Sequence, residues 1–230
     1  MNSWHKTQDA EYLALQETRI ANSENLTWVD QAVRLIEEEF LVNSRGQKGP
    51  TSVADYGCAA GHLAKGLQKT SLHFTYLGID SSHEYLGIAA KYFPQHEFKK
   101  MDLTGSRELS TISTKNVAVI SATLEHLENP FHVLRHLFQK TNRLILIRTF
   151  CGAHTLEDWV KKPTTDTPFL VRQFTLDELH LDPKWAMTVH IDEATRGDLY
   201  SLPEVEPNDV RRQMYFLSFR PKDMDSYVHA

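Results

Sequence analysis

Residues Ser52–Leu67 read SVADYGCAAGHLAKGL, and the fold follows from this stretch. A short apolar strand ends at Gly57, a turn of small residues follows, and helical spacing begins after Gly61. Two glycines and two alanines between a strand and a helix indicate that another group comes close to the backbone there. Because a helix N-terminus presents unpaired amides, the turn is a candidate binding site.

Strands and helices alternate after this turn. Further strands are predicted for HFTYLGID, NVAVISA, RLILIRTF and, more weakly, QHEFKKMD; the intervening helices are SHEYLGIAAKYF and PFHVLRHLFQ. Two final strands are predicted for KWAMTVHID and QMYFLSFRP. Alternating strands and helices predict an α/β fold, a doubly wound, mostly parallel sheet covered on both faces.

The chain is expected to divide into three parts. Residues 1–50 form an N-terminal helical cap, 51–221 one α/β domain, and 222–230 a loose tail. Within the domain, residues 151–173 have mixed polarity, two prolines and no clear period. Long connections of this kind are often lids or binding loops, so a lid-like insertion is predicted there.

Composition excludes several classes of protein. The 230 residues carry 25 basic and 30 acidic side chains, a net charge of −5, which argues against nucleic acid as a partner. No apolar run is long enough to span a membrane, and the first residues lack the apolar core of a signal peptide. Only Cys58 and Cys151 occur, so a disulfide framework is excluded and a cytoplasmic location is expected.

The spacing of the glycines excludes some classes of ligand for this turn. It is G-x-x-x-G rather than G-x-G-x-x-G: Ala59 occupies the middle position, and no glycine follows at Ala64. A dinucleotide pyrophosphate turn is therefore a poor fit, and a phosphate loop is excluded because no GK[ST] follows.

Three acids lie at or near successive strand ends. Asp80 closes the second strand, where a carboxylate can accept both ribose hydroxyls, and Asp102 follows the third, where it can accept from an adenine amino group. Asp55, inside the first strand, could hold the amides of the turn or attract a cation. Together with the turn, these acids indicate a nucleoside ligand.

At these residues the sequence resembles the class I S-adenosylmethionine-dependent methyltransferases. The resemblance covers roughly Ser52 to Phe219 and rests on DYGCAAG, YLGID, KKMD and SATLEHLENP, with RQFTLDEL before the last strands. Two departures are Ala59 in place of a common glycine, and QKTNR where the family usually has PGG. The resemblance implies a Rossmann-like sheet of seven strands, the last pair an antiparallel hairpin.

The resemblance also implies S-adenosyl-L-methionine as the cofactor and a small-molecule acceptor, such as a sugar, a quinone or a secondary metabolite. No nucleic acid and no membrane insertion are expected, and a homodimer is compatible with the sequence. A non-catalytic S-adenosylmethionine-binding protein of the same fold and, less favoured, a nicotinamide-dependent oxidoreductase are the alternatives. The residues expected to bind the cofactor are Asp55, Gly57, Cys58, Ala59, Gly61, Asp80, Ser81, Asp102, Leu103 and Thr123.

Two histidines are candidates for a general base. His126, in LEHLENP, follows the fourth strand at the edge where an acceptor would meet the methyl group, and His154 lies in the long connection. Some methyltransferases bind a divalent metal through E-x-x-E-H, but Ala122 occupies the first acid position, so no metal site is expected. His132 and His136, four residues apart on a helix, are expected at the surface.

The N-terminal segment either covers the site or simply packs on the sheet. Trp4, His5, Tyr12 and Arg19 are candidate lid residues, and His62, which follows the turn, is expected at the cofactor edge or in solvent.

Overall fold

The computed structural model describes residues 10–22, 25–42, 49–160, 169–194 and 214–222. Two helices come first, α1 (Ala10–Ala21) and α2 (Thr27–Val42). Five strands follow: β1 (Thr51–Tyr56), β2 (Phe74–Asp80), β3 (Glu97–Lys100), β4 (Lys115–Ser121) and β5 (Thr141–Phe150). The helices between them are α3 (His62–Leu67), α4 (His83–Tyr92), α5 (Ser106–Leu109) and α6 (Pro130–Lys140), with a 3-10 helix at Leu124–His126. The remaining elements are β6 (Leu156–Val160), β7 (Phe169–Gln173), α7 (Leu176–Leu179), β8 (Trp185–Ile191) and β9 (Met214–Pro221).

The central sheet has seven strands in the order β3-β2-β1-β4-β5-β9-β8. Strands β1 to β5 are parallel, whereas β9 runs antiparallel to both β5 and β8. The predicted α/β sheet with an antiparallel final pair is therefore confirmed. The strand order reverses direction between β1 and β4, and ligands of open α/β sheets bind at the carboxyl ends of strands beside such a switch point.

Apolar residues cover both faces of this sheet. Along β4, Val117 and Val119 pack in the cluster with α2 and α3, while Ala118 and Ile120 pack in the cluster with α6. Successive residues of a strand point to opposite faces, so an unbroken apolar strand requires a layer of helices on each side. Helix α2, which lies in the expected N-terminal cap, belongs to one of these two core layers.

Side chains from other parts of the protein pack against the two glycines of the turn after β1. Gly57 has φ +79°, and a Cβ there would lie 2.1 Å from Oγ1 of Thr123, in the loop after β4. Gly61 has φ +85° and lies against Phe93 and Ala89. The glycines therefore let the loop after β4 and helix α4 approach the turn closely.

A two-stranded antiparallel hairpin, β6–β7, lies within the connection 151–173. The sequence predicted a long connection there without strands. Phe169 and Val171 pack on Phe150 and Met214, so the hairpin covers the ends of β5 and β9. The lid-like role and the domain boundaries stay predictions, and residues 161–168 and the tail from 223 lie outside the described ranges.

Within the described ranges, no helix has both the length and the apolar character needed to cross a membrane.

Candidate functional site

A cavity of about 280 Å³ opens at the carboxyl ends of the parallel strands. Its walls come from the turn 57–59 after β1, residues 80–81 at the end of β2, 101–103 after β3, 121–123 after β4, and Arg148 on β5. All five loops or strand ends meet at one edge because the strands are parallel. The volume is close to the lower end of the range for small-molecule sites.

Most of the residues expected from the sequence line this cavity. They are Gly57, Cys58, Ala59, Asp80, Ser81, Asp102, Leu103, Thr123 and the candidate base His126. The three other expected residues, Asp55, Gly61 and His154, do not line it.

Asp80 joins the turn after β1 to the end of β2. Its Oδ2 accepts a hydrogen bond of 2.9 Å from the Ala59 amide, and its Oδ1 accepts one of 2.9 Å from the Ser82 amide. A carboxylate has about four acceptor sites, so one side chain can hold backbone amides and accept from a ligand's hydroxyls. Asp80 is only 7% exposed, which leaves its carboxylate directed at the cavity edge rather than at bulk water.

Asp102 lies two residues beyond β3. Its Oδ1 accepts bonds from the amide and the hydroxyl of Thr104, at 2.9 and 2.7 Å. Met101 and Leu103 flank it and are buried apart from the surface that they give to the cavity. An acid between two apolar side chains suits a flat ring that carries a hydrogen-bond donor.

Asp55 lies beneath the turn and not in the cavity. Its side chain points into a covered face of the sheet, where its Oδ2 accepts a 2.6 Å bond from the Tyr76 hydroxyl. The pKa of Asp55 is raised to about 7, mainly by burial; the Tyr76 hydrogen bond opposes the rise and the nearby charge of Asp80 adds to it. The expectation that Asp55 holds the turn amides is corrected, because strand alternation turns this side chain toward Tyr76.

Gly61 and His154 are displaced from the site for different reasons. Gly61 is the N-cap of α3 and is covered by Phe93 and Ala89, so it supports the turn from behind. His154 is exposed at the start of the hairpin segment, and its backbone carbonyl accepts a 2.8 Å bond from Gln173.

His126 lines the cavity in a defined orientation. Its Nδ1 lies 2.7 Å from the Leu170 carbonyl of β7, and its ring meets the Phe169 ring edge-on at 5.4 Å. A carbonyl can only accept, so Nδ1 carries the proton and the neutral ring has its lone pair on Nε2. The hairpin therefore sets the tautomer that a general base requires.

Glu125 is fully buried beside this histidine. Its Oε2 accepts a 3.0 Å bond from the Thr149 hydroxyl, and its Oε1 lies 4.0 Å from Nε2 of His126. The preceding Ala122 has φ 49° and carries no ligand atom. Across the described parts of the chain, no three His, Cys, Asp or Glu side chains are grouped to hold a metal ion. The expectation that the protein needs no metal stays a prediction.

The cavity also contains residues that the sequence did not single out as ligands. Helix α1 supplies Gln16 together with the candidate lid residues Tyr12 and Arg19, and α2 with its preceding residue supplies Trp28 and Leu26. Trp4 and His5 lie outside the described residues. These contacts need a long-range packing of α1 and α2 on the turn, which no local pattern reveals.

His62 is buried in the cavity wall, so of the two positions expected for it, the cofactor edge and solvent, it does not occupy the second. Its Nε2 lies 2.6 Å from Oε1 of Gln16, and both side chains line the cavity. Burial, helped by the nearby cations Arg19 and Lys65, lowers its pKa to about 4. The ring is therefore neutral near pH 7 and donates to the Gln16 amide oxygen.

Arg148 forms a bidentate pair behind the cavity wall. Its Nε and Nη2 lie 3.1 and 2.8 Å from Oδ1 and Oδ2 of Asp192, the residue after β8. Arg148 is 7% exposed and Asp192 is fully buried. The signal available in the sequence was the second arginine of RLILIRTF, which directly follows the apolar run LILI of a strand predicted to be buried.

His136 is buried, whereas the sequence predicted that it lies at the surface. Its Nε2 lies 3.1 Å from the Tyr56 hydroxyl, and burial lowers its pKa to about 4. It is buried because α6 turns it inward beside Leu137 and Val133, so His132 and His136 do not form a surface pair.

A family model described as a methyltransferase domain matches residues 28–203, more than half of the chain. The chain therefore belongs to this family of methyltransferase domains. A comparison with curated protein sequences finds no match.

Solved structures share the fold at low identity. An S-adenosylmethionine-dependent methyltransferase from Clostridium acetobutylicum has 11% identity and a TM-score of 0.57, with 92% of this chain and 98% of that chain covered. A magnesium protoporphyrin IX methyltransferase from Synechocystis, solved with bound S-adenosylmethionine, has 13% identity and a TM-score of 0.55, covering 90% and 91%. A plantazolicin methyltransferase, in complex with a pentazolic desmethyl analogue and S-adenosylhomocysteine, has 14% identity and a TM-score of 0.61, covering 96% and 93%.

Proposed function

We propose that the protein transfers a methyl group from S-adenosylmethionine to a small-molecule acceptor by in-line displacement. The observation that carries this proposal is the convergence of the small-residue turn and the acids Asp80 and Asp102 on one cavity, with His126 in the wall beyond them. Membership of the methyltransferase-domain family supports the same reaction.

The residues present fit the donor. Asp80, in the cavity wall at the end of β2, would accept from the ribose hydroxyls, and Asp102, between Met101 and Leu103, suits the adenine. Gly57 and Cys58 bring backbone close to the middle of the cavity, where the amino-acid part would lie. When bound, S-adenosylmethionine supplies an electrophilic methyl group on a sulfonium.

The chain's own contribution is positioning and proton transfer. The walls after β4 and on β5, with Trp28 and Leu127, would hold the acceptor and exclude water. Nε2 of His126 would take the acceptor proton, and the imidazolium so formed would lie beside the buried carboxylate of Glu125.

The acceptor is proposed to be a sugar, a quinone or a secondary metabolite. Two proteins of similar fold are named for magnesium protoporphyrin IX and for plantazolicin, which supports a small-molecule acceptor without choosing within the class. A cytoplasmic location and a homodimer remain predictions from the sequence.

Calorimetry with S-adenosylhomocysteine and with NAD tests the donor. We expect the wild type to bind S-adenosylhomocysteine and not NAD. Asp80→Asn should weaken that affinity by about 10- to 100-fold, the scale of losing a charged hydrogen bond. Asp177→Asn, the same change at an exposed position on α7, should leave it unaltered. Binding of NAD without binding of S-adenosylhomocysteine would favour the oxidoreductase alternative and refute the proposal.

Production of S-adenosylhomocysteine with a panel of hydroxyl-bearing acceptors tests the base. His126→Gln should lower turnover by about 10²–10⁴-fold, the usual contribution of a general base, with donor affinity unchanged. His154→Gln should retain turnover, because its side chain lies outside the cavity. Equal losses in both variants, or none in His126→Gln, would remove His126 from the reaction. A wild type that binds donor but never turns over would indicate the non-catalytic alternative.

A further inference from the structure

We propose that Arg148 forms a carboxylate-binding subsite in the acceptor half of the cavity, so that the methyl acceptor is a small carboxylate with an apolar body. This inference rests on the proposed function, because it takes the other half of the cavity to hold the methyl donor.

The first observation is the burial of a cation in a cavity wall. Arg148 is 7% exposed, yet it lines the cavity. A buried charge is costly unless it is paired, and here Asp192 neutralises it. The pair leaves no net charge to be compensated, but it leaves hydrogen-bond donors on the arginine.

The second observation is which donors the pair uses. A guanidinium has five N–H groups in a fixed fork. Within the described part of the chain, the side-chain hydrogen bonds of Arg148 all go to Asp192, from Nε and Nη2. The Nη1 group lies at the other edge of the fork. Since the residue borders the cavity, the geometry assigns Nη1 to a ligand there, and a carboxylate is the acceptor that an arginine fork binds best.

The third observation is position along the sheet. Asp102 follows β3 and Asp80 closes β2, whereas Arg148 is on β5. With strands about 4.8 Å apart, β5 lies roughly 19 Å from β3, beyond the turn after β1. A nucleoside on the two acids cannot also reach Arg148 with its ring. The arginine therefore faces whatever lies past the donor's amino-acid end.

The wall that carries this arginine is fixed from behind. Gln31 of α2 donates to the Ile191 carbonyl at 2.8 Å and accepts from the Glu193 amide at 2.9 Å, on either side of Asp192. The same helix places Trp28 in the cavity. A preorganised cation and an aromatic side chain in the walls of one cavity fit an anionic group on an apolar body.

The probe is a matched pair of small molecules, benzoate and benzamide, titrated to 20 mM into protein saturated with S-adenosylhomocysteine and followed by ligand-observed NMR. We expect benzoate to bind about tenfold more tightly than benzamide, the difference made by a charged hydrogen bond. Arg148→Gln should abolish this preference while leaving S-adenosylhomocysteine affinity within about twofold. Arg135→Gln, the same change on the exposed side of α6, should keep the preference.

Arg148→Gln leaves the Asp192 carboxylate buried without its cation, so the double variant Arg148→Gln/Asp192→Asn is measured beside it and supplies the result if the single variant does not fold. Equal binding of the two probes, no binding of benzoate, or a preference that survives in the double variant would overturn the subsite. A loss of S-adenosylhomocysteine affinity in the double variant would place the arginine on the donor and also overturn it. A wild type that prefers benzoate but does not bind S-adenosylhomocysteine would refute the proposed function instead.

Discussion

At the scale of single residues, the backbone of the turn carries a measurable strain. Ala59 has φ 47°, in the left-handed region, and its amide is fixed by the Asp80 carboxylate. A left-handed conformation costs a residue with a Cβ about 1–2 kcal/mol, which glycine avoids. The resemblance to the methyltransferases indicated that glycine is common at this position. The positive φ gives the physical reason.

Ala59→Gly should therefore raise the free energy of unfolding by about 0.5–1 kcal/mol, after allowing for the greater freedom of glycine in the unfolded chain. Urea denaturation followed by circular dichroism measures it. Ala60→Gly is the matched control, because Ala60 is buried and has no positive φ; it should lower the free energy of unfolding by about 1 kcal/mol. If both variants were destabilised, the backbone at Ala59 would not be strained.

The sequence predicted individual site residues well where strand ends determine position. Asp80 and Asp102 could be placed because a carboxylate at the end of a parallel strand reaches the sheet edge whatever the details. Asp55 could not, since alternation along a strand decides which face of the sheet a side chain lies on, and Asp55 lies on the face that carries Tyr76. Arg148 was missed because its partner, Asp192, is distant in sequence.

At the scale of elements, the contact between α2 and α3 depends on Gly66. A Cβ there would lie 2.4 Å from Cγ1 of Val29 and 2.9 Å from Cγ2 of Val33. Helix α2 also supplies Trp28 to the cavity, so this contact fixes one wall of the site.

Gly66→Ala should lower the free energy of unfolding by about 1–3 kcal/mol through overpacking. Gly87→Ala is the control, also a glycine within a helix: it is exposed on α4, a Cβ would meet nothing within 4 Å, and the change should raise that free energy by about 0.5–1 kcal/mol. Thermal and urea unfolding of both variants measure the difference. Stabilisation by Gly66→Ala would show that the helices can separate without cost.

The hairpin is the element that the sequence did not predict. All five residues of β7 are buried, so the polar and apolar alternation that signals a half-exposed strand is missing. The strands form because Phe169 and Val171 find partners on Phe150 and Met214, which are far along the chain. The central strands were predictable because both their faces are buried, which demands continuous apolar runs.

At the scale of the whole molecule, buried titratable groups give stability a dependence on pH. Asp55 has its pKa raised to about 7 by burial, with Tyr76, Cys58 and Asp80 as its neighbours. Between its ordinary pKa of 3.8 and about 7, the folded state binds more protons than the unfolded state, so its contribution to stability falls as pH rises. His62 acts in the opposite direction, because its lowered pKa makes acid destabilising.

Asp55→Asn removes the first of these groups and keeps an acceptor for the Tyr76 hydroxyl. Relative to wild type, we expect the free energy of unfolding of this variant to rise between pH 4 and pH 8, by a few kcal/mol at most. The histidines titrate in both proteins and cancel in the difference. Urea unfolding at four pH values measures it, with Asp177→Asn as the exposed control. A difference that stays flat with pH would mean that Asp55 is ionised in the folded protein.

The position of β9 has a consequence for the order in which the protein can assemble. β9 follows β8 in the chain but lies between β5 and β8 in the sheet. While the chain is being synthesised, β5 therefore presents an unpaired edge and β8 has no neighbour in the sheet until residues 214–221 emerge. Unpaired edges are sites where nascent chains associate wrongly. Arg148 and Asp192, which come from β5 and the end of β8, can form their lasting pair only when this strand has inserted between them.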